Sequence, residues 1–314
     1  MNWLWRLKKP IEKVENRMTN FDLQKESSLP SGETEILMAF LLGKDKEFIL
    51  THPEFIVPLN VYKKFKELKK KRLAGWSVAV LIGHKEFYGL DFKVNKNVLV
   101  PRPETEMMVE EILNIIKEKS TDLMLVDLGT GTGAIIISVA SEIKRISPVQ
   151  YREIIFRAID ISSPALNIAK KNAILNKQDK KIKFLKGNLL EPLINKADFN
   201  KLIRSELVIA ANLPYLTPNQ VNTSPSIKHE PRIALVAGND GLKYYCELFK
   251  QIKEIKSIFN FNGPDKQITI LCEINPDQKK SINLLAKKYF PSSRIKIKKD
   301  LANRNRLAII KILD

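Results

Sequence analysis

The chain is 314 residues long, about two domains at ~150 residues each, and 44% of it is hydrophobic, enough for real cores and too much for a disordered chain. Two cysteines, Cys246 and Cys272, exclude a disulfide framework or a cysteine-rich zinc site and suit a reducing cytosol; three histidines leave little for a histidine-built metal centre. The 53 basic and 35 acidic residues give a net charge of +18, which points either to ribosome or RNA proximity or to compositional drift in a chain rich in Lys, Ile and Asn.

In chain order, the opening MNWLWRLKKP is too short in its apolar part for a signal peptide, and no apolar run reaches the ~18–20 residues of a membrane span. The expectation is a cytoplasmic monomer with no membrane partner. Residues 1–85 read as a small helical bundle. Thr34–Leu42 is an apolar-rich stretch that stops at Gly43, and Val61–Leu68 spaces its apolar residues three and four apart, as a one-sided helix does. Residues 86–103 read as a β-hairpin linker: the segment alternates from Tyr88 to Val94, turns at Asn95-Lys96-Asn97 and returns through Val98-Leu99-Val100 to Pro101.

Residues 104–314 read as an α/β domain. Leu123–Asp127, Ile154–Asp160, Ile182–Lys186, Leu207–Ala211 and Gln267–Glu273 are short apolar runs, most of them separated by helical stretches, as in a doubly wound parallel sheet. Ser293–Lys299 and Leu307–Leu313 add a terminal antiparallel hairpin. That ending is characteristic of the seven-stranded class I methyltransferase variant of the fold.

Gly129-Thr130-Gly131-Thr132-Gly133 follows the first of these strands and opens a helix. Glycines let a backbone take positive φ and approach a ligand, and the helix start favours anionic groups. The turn serves nicotinamide and S-adenosylmethionine sites alike, and Asp160, closing the next strand, can accept both hydroxyls of a ribose in either class. Asp127 tips the balance: it would repel a pyrophosphate but attract the ammonium and sulfonium of S-adenosylmethionine. After the third strand, Asn188 can meet an adenine edge and Leu189 its face, or both can be ordinary loop residues.

The fourth strand runs into Asn212-Leu213-Pro214-Tyr215, at the sheet edge where doubly wound folds bind ligands. These residue types suit methylation of a planar nitrogen whose lone pair is delocalised. The Asn212 side-chain oxygen and a backbone carbonyl can accept its two N–H groups, Tyr215 can stack on the planar group, and Pro214 stiffens the turn. No cysteine or histidine nucleophile is needed.

These residues resemble the release-factor glutamine methyltransferase family (HemK type) over nearly the whole chain. Gly83–Phe92 followed by Val98–Glu106 is similar to the family's interdomain signature; His229–Leu235 with Gly238–Leu242, Glu273–Gln278 and Asp300–Arg306 resemble its later motifs. The resemblance implies methylation, by S-adenosylmethionine, of the glutamine in the Gly-Gly-Gln motif of a peptide-chain release factor. It also implies substrate recognition by the N-terminal helices and a place for Thr105 and Glu106 in the wall of the methyl-transfer pocket, while Arg102 suits an internal ion pair as well as a substrate contact. There are departures. Leu213 stands where the family carries a first proline, giving an Asn-Leu-Pro-Tyr more like ribosomal RNA adenine dimethyltransferases; Asn275 and Asn303 stand where glycines are usual; and Ser77–Val80 departs from a Pro-Val-x-Tyr pattern. An adenine N6-methyltransferase of ribosomal RNA or DNA is the alternative, followed by a nicotinamide oxidoreductase and a non-enzymatic binding module.

Overall fold

A computed structural model describes residues 18–118, 123–194, 206–259 and 267–312, so the opening decapeptide and Leu313 lie outside the described residues. The chain divides into two compact units between Ile82 and Gly83.

The first unit is all helix, with segments Asn20–Glu26, Ser31–Leu42, Lys46–Thr51, Leu59–Leu73 and Val78–Ile82. Local chemistry sets their ends. Thr19 and Asp22 form a capping box at the first helix, Asp45 accepts the Phe48 amide at 2.7 Å, and Gly43 closes the second helix in the left-handed conformation (φ 63°). Leu37 and Met38 pack with Val61 and Phe65 in this unit's own core, as the three-and-four spacing requires. Arg72 grips Glu33 with two bonds of 2.7 and 2.8 Å.

The second unit begins with a hairpin, β1 (His84–Phe87) and β2 (Leu90–Lys93), whose turn is Tyr88-Gly89. This corrects the expected register, which put the turn at residues 95–97 and a return strand at Val98–Val100; no strand is assigned at 98–100. Tyr88 and Gly89 have φ of 53° and 69°, the pair of positive values that a two-residue hairpin turn demands. Alternation alone does not place that turn, because it starts at Tyr88, inside the turn, and the first strand, His84-Lys85-Glu86-Phe87, shows none. Phe87 and Phe92 are buried in the core of the α/β unit, so the hairpin is part of that unit.

The main sheet has seven strands in the order β5-β4-β3-β6-β7-β9-β8. β3 (Leu123–Leu128), β4 (Ile155–Asp160), β5 (Ile182–Lys186), β6 (Glu206–Ala211) and β7 (Ile268–Glu273) run parallel; β8 (Arg294–Lys299) and β9 (Asn305–Ile312) return antiparallel. Met124, Val126, Leu128, Ile209 and Ala211 pack on one face with helices Lys243–Phe259 and Lys279–Tyr289. Leu125, Val208 and Ala210 pack on the other with helices Glu106–Glu118 and Ala134–Ile146. Strand alternation puts Asp127, Asp160 and Glu273 on that second face, at or next to the carboxyl ends of β3, β4 and β7. Strand order reverses between β3 and β6, and the register Leu128↔Ala211 brings the glycine turn and the tetrapeptide side by side at that switch point. Among the described residues, no helix is long and apolar enough to cross a membrane.

Candidate active site

A cavity opens at the carboxyl ends of the parallel strands. Gly129 and Gly131 line it after β3, Asp160 after β4, Asn188 and Leu189 after β5, and Asn212, Leu213 and Pro214 after β6. Four segments that are distant in sequence thus meet in one place. The cavity also takes in Asn97, which the hairpin expectation assigns to its turn, Val98 and Leu99, which it assigns to a strand, and Ile233, Ala234 and Tyr244.

Thr130, Thr132, Gly133, Asp127 and Tyr215 are not in the cavity wall; the first four build the glycine turn from beneath. Thr130 and Thr132 are buried, and Gly129, Gly131 and Gly133 have φ of 65°, 55° and 80°. At Gly133 a side chain would also run into Ile137. Asp127 is 1% exposed; its Oδ2 accepts the Thr130 hydroxyl at 2.6 Å, and its Oδ1 is buried with no partner. Burial pushes this carboxyl up to about 7; the Thr130 hydrogen bond opposes the rise, the nearby Asp160 charge adds to it, and the Ile136 backbone amide, near but without a hydrogen bond of normal geometry to Oδ1, opposes it least.

Asp160 is oriented by backbone donors: Oδ2 accepts the Gly131 amide at 2.9 Å and Oδ1 the Ser162 amide at 2.8 Å. Each oxygen keeps a lone pair for a ligand hydroxyl. Burial raises the Asp160 carboxyl, and these amides pull it back. The Asn188 Nδ2 donates to Glu247 and Glu191, so its Oδ1 is the atom left to accept a bond from a ligand. Leu189 is held at φ 51°, an uncommon conformation for a branched side chain.

The tetrapeptide is held through side chains. Asn212 Nδ2 donates to Thr105 Oγ1 at 3.2 Å, and Thr105 Oγ1 donates to Glu273 Oε2 at 2.7 Å. Tyr215 donates its hydroxyl to Glu273 Oε1 at 3.2 Å, and its backbone carbonyl accepts from Gln278 Nε2 at 3.1 Å. Behind them the buried Tyr245 hydroxyl shares its one proton between the carbonyls of Ala211 and Glu273, tying the ends of β6 and β7 together. Gly241 (φ 69°) lies so close to the Tyr215 carbonyl that it has no room for a side chain. Burial raises the Tyr215 phenol far above its ordinary range, and the Glu273 charge adds to it. Burial likewise raises Glu273, while Thr105, Arg306 and Tyr215 oppose the rise.

Thr105 is therefore behind Asn212 and 4% exposed, outside the cavity wall where the resemblance had put it. Glu106, its neighbour in that expectation, turns to the hairpin and accepts the Tyr88 amide at 2.9 Å. Arg102 makes the internal ion pair, 2.6 Å from Glu230. The sequence places Glu273 and Gln278 in a motif of the family without a site role, and Tyr245 carries no sequence signal. For Glu273 a signal existed: it closes an apolar strand with a carboxylate, as Asp160 does.

The PrmC N-terminal domain matches residues 20–83. A release factor glutamine methyltransferase of Enterococcus faecalis is 35% identical, over 85% of this chain and 87% of that protein. One from Rhodopirellula baltica is 30% identical over 92% of each. The chain belongs to the release factor glutamine methyltransferase family. It is a methyltransferase, and its fold agrees with solved ones: the hMettl16 catalytic domain in complex with MAT2A 3'UTR hairpin 6 superposes with a TM-score of 0.52, at 15% identity, over 80% of this chain and 82% of that one.

The departures from the family pattern settle into ordinary geometry. Asn275 has φ −65° and caps a short helical turn with its side chain, so no glycine is required there. Asn303 has φ 61°, a left-handed position that asparagine tolerates better than most residues. Leu213 is buried, and its side chain stands where a side chain at Gly129 would press on it. Ser77 accepts the Val80 amide at 3.3 Å at the start of the last helix of the first unit.

Proposed function

We propose that the cavity binds S-adenosylmethionine and that the protein methylates the side-chain amide nitrogen of the glutamine in the Gly-Gly-Gln motif of a peptide-chain release factor. The site's chemistry fits that cofactor. The orphaned Asp127 Oδ1 is an unneutralised acceptor beneath the glycine turn, suited to a cationic amino-acid group, and Asp160 keeps two lone pairs for ribose hydroxyls. Asn188 Oδ1 accepts from the adenine edge while Leu189 packs against the ring. S-adenosylmethionine supplies the methyl group on a positively charged sulfur.

The observation that carries the substrate class is the anchoring of Asn212. With Nδ2 committed to Thr105, the atom available to a substrate is Oδ1, an acceptor. An acceptor is what an amide NH2 needs. Asn212 Oδ1 and the Leu213 carbonyl hold the two N–H groups, the nitrogen lone pair is left toward the methyl donor, and Tyr215 walls the planar group. Positioning supplies most of the rate. Asn212, Leu213, Pro214 and Tyr215 are thus the acceptor half, while Asp127, the Gly129–Gly133 turn, Asp160, Asn188 and Leu189 form the cofactor half. The helical unit, which exposes Phe21, Phe40, Leu59 and Leu73, recognises the protein substrate.

The deciding experiment uses S-adenosylmethionine labelled in its methyl group, offered separately with a release factor and with ribosomal RNA. The expected result is label on the release factor, at the glutamine of Gly-Gly-Gln by peptide mapping. Label on RNA adenine with none on the release factor sinks this assignment.

A further inference from the structure

The acceptor half depends on a hydrogen-bond chain whose direction is set at its buried end. Glu273 is 2% exposed and both of its oxygens take a hydroxyl, Thr105 on one and Tyr215 on the other. Burial favours the neutral acid, but the Arg306 charge and the two hydroxyls donating to Oε2 and Oε1 hold Glu273 as a carboxylate, which only accepts, so the Thr105 proton points to Glu273. A hydroxyl has one proton, so toward Asn212 the Thr105 oxygen presents only lone pairs. Only the nitrogen of the Asn212 amide can donate to it, and the 3.2 Å contact is to that nitrogen. The amide is therefore turned with Oδ1 away from Thr105. Sequence cannot show this: Thr105 and Glu273 are 168 residues apart and Thr105 and Asn212 are 107 apart.

We infer that Thr105 and Glu273 are positioning residues for methyl transfer: the Glu273 carboxylate fixes the polarity of the Thr105 hydroxyl, and Thr105 fixes which end of the Asn212 amide faces the substrate nitrogen. The inference rests on the proposed role of Asn212 as the acceptor of the substrate's N–H. Without the chain, Asn212 rotates about its terminal bond, and half of its orientations present an NH2 to another NH2, which cannot pair.

Four measurements test the chain, each made on the full protein with a release factor as substrate and saturating S-adenosylmethionine. Thr105→Val keeps the shape and removes the hydroxyl; kcat should fall about tenfold, the worth of one oriented hydrogen bond, with cofactor Kd and release-factor KM within about threefold of the parent. Thr105→Ser restores the hydroxyl and should bring kcat back to within about threefold. Reversing the chain is the sharper arm. Asn212→Asp cannot donate to Thr105 and so opposes its polarity. Adding Glu273→Gln supplies an amide that donates to Thr105 from the other end, so the pair should turn over at least about fivefold faster than Asn212→Asp alone. Adding Thr105→Val to that pair should abolish the gain, because the hydroxyl relays it.

The outcomes separate cleanly. If Thr105→Val turns over at the parent rate while Asn212→Ala is crippled, the chain is wrong and the role of Asn212 survives. If Asn212→Ala is also at the parent rate, both fall. Loss of cofactor affinity in step with kcat in Thr105→Val marks a merely structural residue and overturns the inference. A gain from Glu273→Gln that persists without the Thr105 hydroxyl assigns the effect to charge relief and overturns the polarity argument.

Discussion

The two loops that meet at the switch point of the sheet are built on opposite plans. After β3, the turn is made by backbone conformation: three glycines at positive φ, two buried threonines, and a carboxylate left with one unsatisfied oxygen. After β6, the tetrapeptide is held by side chains, with the Asn212 nitrogen, the Tyr215 hydroxyl and the Tyr215 carbonyl each given a partner. The difference suits the proposed roles of the two loops, one for the cofactor and one for the acceptor amide. A charged cofactor can complete an unsatisfied site, so the turn keeps an unmet charge in reserve. A neutral amide brings little binding energy of its own and must be met by groups already oriented.

Substitutions on the two sides should therefore fail in different ways. The largest effect belongs to the acceptor side. Asn212→Ala leaves one substrate N–H unpaired and frees the nitrogen to rotate, so kcat should drop on the order of 10²–10³-fold. Cofactor affinity, measured by calorimetry, should stay within about threefold of the parent, because Asn212 is asked to hold the substrate. A comparable loss in both quantities would erase the division between the two halves.

On the cofactor side the pattern inverts. Asp160→Ala removes charge-assisted bonds worth ~1.5–3 kcal/mol, so S-adenosylmethionine should bind at least about tenfold more weakly. At saturating cofactor, kcat should recover most of its parent value. Retained affinity, together with tight nicotinamide binding, would overturn the assignment of the turn.

The orphaned oxygen of Asp127 makes a third, smaller effect visible through pH. Its carboxyl, with Asp160 as the charged neighbour and Thr130 as the hydrogen-bond donor, sits at about 7 in the free protein. A cationic ligand stabilises the ionised form and so lowers that value on binding. Affinity should therefore rise as pH increases toward about 7, by at most about tenfold per unit, and level off above it. Below that pH, binding should release up to one proton, which calorimetry in buffers of different ionisation enthalpy reports. Asp127→Asn should flatten the profile; a parent profile that is already flat between pH 5.5 and 7, on the scale of the ~1.4 kcal/mol that one pH unit represents, would show that the cofactor's charge does not reach Asp127.

The same contrast explains what sequence could reveal. The glycine turn was legible because a backbone at positive φ leaves a direct compositional mark, and Asp160 because a carboxylate closing an apolar strand is conspicuous. The strands were legible from apolar runs, and their observed ends differ by at most two residues. The hairpin register is not legible because Tyr88 does what asparagine or glycine usually does, and the apolar alternation begins at Tyr88, so the turn reads as the start of a strand. Thr105, Glu273, Gln278 and Tyr245 support the tetrapeptide from other elements, and nothing in the local sequence of Asn212 names its partners. Pairings of that kind exist only once the sheet has set the distance between strands.

Glu106 gives the smallest effect and tests that lesson directly. Beside Thr105 in sequence, it would be expected to share its neighbour's work, yet it starts a helix and accepts the Tyr88 amide at the hairpin turn. Tyr88 carries a positive φ without being glycine, so its backbone needs this support. Glu106→Ala removes the acceptor and should cost about 1 kcal/mol of stability, a few degrees in melting temperature, since the carboxylate is only half-buried. Glu106→Gln keeps an acceptor oxygen of the same reach and should melt close to the parent. In both variants, kcat and release-factor KM should stay within about threefold, because the side chain points at a turn and no substrate group is required to meet it. A tenfold rise in KM for Glu106→Gln with an unchanged melting curve, about 1.4 kcal/mol of lost substrate interaction, would return Glu106 to the pocket wall and show that adjacency in sequence had been the better guide.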